Sequence, residues 1–67
     1  MFNPNEKVEF IGPRGKYNEE FEPPIGTVGL VVRQHDKWRC EVQWPIGSAN
    51  TKRNDCTYIT PCKLKKI

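Results

Sequence analysis

One histidine and three cysteines have the widest chemical reach in this chain: His35, Cys40, Cys56 and Cys62. A cysteine nucleophile needs a base within hydrogen-bond reach, and only His35 could serve. No serine or threonine sits in an elbow-type motif, and no glycine-rich loop leads into a helix. By count the same four residues could form a Cys₃His zinc set. Their spacing argues otherwise, because no two cysteines form the short knuckle of structural zinc sites. Cys40 alternates with Trp38 and Val42, as a buried core residue does. An odd cysteine count is not a disulfide framework, and a Cys56–Cys62 bridge is not favoured over free thiols. The expectation is therefore a non-enzymatic protein with no catalytic residues, no metal and no cofactor.

Two other groupings could carry a function. The first is aromatic. Tyr17 and Phe21 belong to a segment that also holds Glu19, Glu20 and Glu22, while Trp44, Pro45 and Tyr58 come later. Together these five residues are candidates to line a groove that docks a protein partner beside an acidic loop. The second grouping is basic: Lys52, Arg53, Lys63, Lys65 and Lys66. Interleaved with Trp38 and Trp44, they offer an alternative surface that stacks bases and contacts phosphates of a nucleic acid. Glu41 and Asp55 oppose that alternative. Trp38 and Trp44 share the face of Val42, so at least one belongs in the core.

Size and charge set the frame for both. The chain has 67 residues, 11 Lys or Arg against 8 Asp or Glu, and a net charge of +3. Such a length suits one small domain over residues 1–67 and excludes any large nucleotide-binding or hydrolase fold. A core this small supplies only about 3–5 kcal/mol of net stability. The charge is uneven. Lys7, Arg14 and Lys16 against Glu6, Glu9, Glu19, Glu20 and Glu22 leave −2 over residues 1–32. Eight basic groups against Asp36, Glu41 and Asp55 leave +5 over residues 33–67. The longest uncharged apolar run, Pro23 to Val32, is roughly half of the ~20 residues a membrane span needs. Residues Met1 to Glu6 carry no basic and apolar leader pattern. The expected setting is a reducing one, cytoplasmic, with no membrane.

The elements that must position these residues are strands. Lys7 to Ile11 alternates, with Val8 and Phe10 on one face, and Gly12-Pro13 ends it. Gly26 to Arg33 is β-branched and apolar, with Val28, Leu30 and Val32 sharing a face. Trp38 to Trp44 puts Trp38, Cys40, Val42 and Trp44 on one side and Arg39, Glu41 and Gln43 on the other. Gln34 to Lys37 reads as a hairpin turn between the last two. Pro45-Ile46-Gly47 stops the third strand. A polar loop follows over 47–56, a further strand is hidden within 50–59, a short turn falls at Thr60-Pro61, and a last strand runs from Cys62 to Ile67 with Leu64 inward. The 13-residue loop from Gly12 to Pro24 is long for so small a chain. Five short strands without a helix bury one face best by curling, so the expected fold is all-β, a single small five-stranded barrel.

The segments KVEFIGP, GTVGLVV, WRCEVQWPIG and YITPCKLKKI, in that order, resemble the layout of SH3-like small β-barrels. They look like Mind bomb-type domains and like bacterial and phage-encoded SH3-like barrels. That resemblance implies a binding module, an accessory protein that acts by docking to another macromolecule. It also implies a concave site between the long loop and the loop after the third strand. The chain departs from peptide-binding SH3 domains by lacking their paired tyrosines and consecutive tryptophans.

Overall fold

The computed structural model describes residues 2–15, 22–47 and 56–67. Strand β1 covers Lys7–Phe10, β2 Val28–Gln34, β3 Cys40–Gln43, β4 Cys56–Ile59 and β5 Leu64–Lys66. A single 3₁₀ turn, Pro61–Lys63, separates β4 from β5. All five strands lie in one antiparallel sheet of order β4-β3-β2-β1-β5. Its edges are β4 and β5, and no ladder joins them among the described residues, so closure into a barrel is not part of the observed pairing.

Alternation explains the core. Val8 and Phe10 of β1, Cys40 and Val42 of β3, Ile59 of β4 and Leu64 of β5 are buried, with Val31 of β2 and Trp44 just beyond β3. Their neighbours along each strand face out, which is the two-residue period of a sheet with one dry face. Phe10 and Trp44 meet edge to face at 6.3 Å, an arrangement that suits the ring quadrupoles. The Trp44 indole N–H donates to Thr57 Oγ1 at 2.8 Å, so this buried polar atom is satisfied.

The shared face of Val28, Leu30 and Val32 is the outer one. These residues are 41%, 44% and 41% exposed, while Gly29 and Val31 turn inward. Gly29 sets this orientation. A Cβ there would lie 2.6 Å from the Trp44 ring and 2.8 Å from the Gln43 carbonyl, so only glycine admits the indole. The register of β2 on β3 then shifts between Val31 and Arg33, and both Val32 and Arg33 face solvent. The tryptophans separate as well: Trp44 is 2% exposed and Trp38 66%.

Two side-chain clamps hold the connections. At the β2–β3 turn the Asp36 carboxylate accepts the backbone N–H groups of Trp38 and Arg39 at 2.8 and 2.9 Å, and the Arg39 guanidinium at 3.0 and 3.1 Å. Those donors hold its carboxyl below the usual range, the Trp38 N–H first. In the long β1–β2 connection, Glu22 is buried. Its carboxylate accepts from Lys63 Nζ at 2.6 Å and from the Gly15 N–H at 2.7 Å. The second clamp ties that connection to the 3₁₀ turn before β5.

Candidate functional site

The exposed side chains of β2 form one wall of a shallow groove. Lys7, Val28, Gly29, Leu30, Gln43, Trp44 and Pro45 line it, with a volume of about 340 Å³. Adjacent strands build it. Lys7 pairs in register with Leu30, and Leu30 with Gln43, so three side chains stand abreast across the outer face. Behind them, Gly29 and the buried Trp44 packed beneath it form the floor, where no side chain rises from position 29. Pro45 closes the end where the chain leaves β3. The lining is apolar, with the Lys7 ammonium and the Gln43 amide at the rim.

This groove differs from the one expected from sequence. Of the three aromatic-groove candidates among the described residues, Trp44 and Pro45 share it and Tyr58 does not. Trp44 is first a core residue, 2% exposed, and borders the groove from beneath. Tyr58 is exposed but lies elsewhere on the outer face, opposite Glu41 and with its ring 5.2 Å from that of His35. Tyr17 and Phe21 lie outside the described residues, as do Glu19 and Glu20. The remaining acidic residue of that loop, Glu22, is buried against Lys63 and is no charged wall for a partner.

The basic grouping is also dispersed. Lys52 and Arg53 lie outside the described residues. Lys63 is paired with Glu22, Lys66 Nζ sits 3.3 Å from Glu6 Oε2, and Lys65 stands opposite Glu9 across the β1–β5 ladder. Carboxylates therefore face all three of these lysines, which leaves little net positive field for phosphates on that side.

A polar cluster occupies the other end of the outer face. His35 Nε2 lies 3.1 Å from Glu41 Oε1, and His35 Nδ1 lies 3.2 Å from Arg33 Nη2. The guanidinium only donates and the carboxylate only accepts, so the two shorter contacts fit an imidazole with its hydrogen on Nε2, while Arg33 Nε approaches the same Nε2 at a longer 3.4 Å. The Cys56 thiol donates to Glu41 Oε2 at 3.2 Å. Glu41 is thereby held below the usual carboxylate range, by the His35 hydrogen bond first and the Cys56 bond second. Burial pushes the Cys40 thiol up. Among the described residues no group of three or more His, Cys, Asp and Glu side chains is arranged to hold a metal ion. No described helix is long and apolar enough to cross a membrane.

Sequence reasoning missed Val28, Leu30 and Lys7 as site residues. The available signal was a strand apolar on both faces, VGLVV, with a glycine on one of them. A face with glycine at its centre can accept a large neighbour, and the opposite apolar face is then left for solvent or for a partner. Comparisons with protein-family models, with curated proteins and with solved structures returned no match.

Proposed function

We propose that this chain is a non-enzymatic docking module that binds a protein partner through the outer-face groove beside β2. The observation that carries this reading is the apolar stripe of Val28, Leu30 and Val32 on the solvent side of the sheet, with Val28 and Leu30 lining an apolar hollow over Gly29. A sheet with one dry face ordinarily turns polar residues outward. Contiguous apolar surface rimmed by polar groups is characteristic of interaction sites. Trp44 and Pro45 keep their place in the site from the sequence reading; β2 takes the role given there to the long acidic loop.

We also infer an SH3-like barrel as the fold. Three features support it: the strand order with β1 between β2 and β5, the 3₁₀ turn between β4 and β5, and the long β1–β2 connection. The smallest molecular extent, 20 Å, is about twice the thickness expected of a flat sheet with one layer packed on it.

The test compares two apolar-to-charged substitutions. Leu30 lines the groove, while Ile46 is 97% exposed and does not. Immobilised wild type, Leu30→Lys and Ile46→Lys are offered the same extract. Partners held by wild type and Ile46→Lys but lost by Leu30→Lys support the reading. Partners retained equally by Leu30→Lys overturn it.

A further inference from the structure

The charges around the groove narrow the chemistry of what it accepts. Lys7 is exposed, alternates with the buried Val8 and stands at the groove rim opposite Leu30. Among the described residues it has no carboxylate partner, whereas Lys63 and Lys66 are each held by a glutamate. The next outward residue on β1, Glu9, stands in register between Val28 of the groove and Lys65, so its carboxylate has a basic neighbour, and it does not itself line the hollow. Gln43 directs its amide toward the Trp44 carbonyl at 3.4 Å. Among the described residues Lys7 is the one charged side chain lining the hollow.

From this arrangement we infer that the groove takes a peptide segment that places one large apolar side chain against Val28, Leu30 and Pro45 and a carboxylate beside Lys7. The inference rests on the docking reading and adds the partner's chemistry to it. An apolar anchor in a desolvated pocket supplies most of such an interface's binding free energy. A rim charge adds orientation and selects the partner's sign. The whole chain carries +3, so approach of an acidic segment is favoured at long range as well.

Four capped nine-residue peptides test this. One has a central leucine flanked by glutamate and serine, the second has lysine in place of glutamate, and the third has serine alone as flank. The fourth is the acidic peptide with its leucine replaced by serine. Binding is read from the backbone amide resonances of Val28, Leu30 and Gln43 in wild type, Lys7→Gln and Lys7→Glu. The acidic leucine peptide should shift these resonances. It should weaken about tenfold in Lys7→Glu, with a smaller loss in Lys7→Gln, and the lysine peptide should gain in Lys7→Glu. The serine-centred peptide should not bind. Equal binding of acidic, neutral and basic leucine peptides would overturn the charge preference while leaving docking intact. Concentration-dependent shifts of the same resonances without peptide would assign the groove to a second copy of the chain and overturn the inference. If no peptide moves them the inference falls too, and the docking reading is decided separately by the Leu30→Lys comparison.

Discussion

Gly29 sits against the indole of Trp44 so closely that a Cβ at position 29 would approach ring carbon Cε3 to 2.6 Å. The same Cβ would lie 2.8 Å from the Gln43 carbonyl oxygen, which is backbone and gives little. One contact thus fixes three things: the inward face of β2, the depth of Trp44 in the core, and the hollow over which the outer groove forms. Gly29→Ala is expected to destabilise the protein by about 1–3 kcal/mol, the usual range for overpacking a full site. A lowered denaturation midpoint with an unchanged denaturant slope would bear this out, and an unchanged midpoint would show that the indole is free to move.

Trp44 is held at its other end by Thr57, and this hydrogen bond makes a separate prediction. Both residues are buried, so the indole N–H has no water to turn to. Thr57→Val keeps the shape and removes the acceptor. Leaving a buried donor unpaired costs about 1–3 kcal/mol. Thr57→Ser retains the oxygen and should recover most of that loss in the same denaturation measurement. An unchanged midpoint in Thr57→Val would show that the hydrogen bond contributes nothing to stability.

The Glu22–Lys63 pair links residues 41 positions apart in the chain. Its carboxylate side is 5% exposed and its ammonium side 21%. Removing only Lys63 leaves Glu22 buried with the Gly15 N–H but without its cation. Lys63→Met should therefore cost about 3 kcal/mol, toward the lower end of the range for breaking buried pairs. Adding Glu22→Gln to that variant removes the stranded charge and should restore part of the stability. A double variant as unstable as the sum of the two single variants would refute the coupling.

How much of this was legible in the sequence follows from what each feature depends on. Val8 and Phe10 declare their face because Lys7 and Glu9 flank them. Cys40 and Val42 do the same between Arg39, Glu41 and Gln43. The direction of β2 is not legible that way, since Val28, Leu30 and Val32 are as apolar as Val31, and the choice falls to the fit of Gly29 against Trp44. Trp38 keeps the period of its strand in sequence yet leaves the core. The Asp36 carboxylate draws the chain into a turn through its bonds to the Trp38 and Arg39 amides, and the observed strand begins only at Cys40. For the site, Trp44 and Pro45 were legible as aromatic and strand-ending neighbours. Lys7 and Leu30 were not, because their place beside Trp44 depends on the pairing of β1 with β2 and of β2 with β3. The Glu22–Lys63 clamp and the Glu41–Cys56 contact are likewise products of register, which no local pattern encodes.

Glu41 gives the pH dependence. Its carboxylate accepts from His35 Nε2 and from the Cys56 thiol, and both bonds favour the ionised form and hold its pKa below the ordinary value of 4.5. A carboxylate whose folded pKa is depressed contributes stability above the unfolded value and loses it as pH falls through the folded one. The contribution is present in full above pH 4.5, begins to fade there and is gone once Glu41 is protonated in both states. Glu6 and Asp36 are depressed too, by the Asn3 and Trp38 N–H groups first, so acid destabilisation of the wild type has several sources. The comparison with Glu41→Gln isolates this one. The variant should be less stable than wild type near neutrality, and the gap should narrow as pH drops below 4.5. Denaturant titrations at a series of pH values measure that gap directly. A difference that stays constant from neutral to strongly acidic pH would mean that the ionised carboxylate adds nothing beyond the amide in its place.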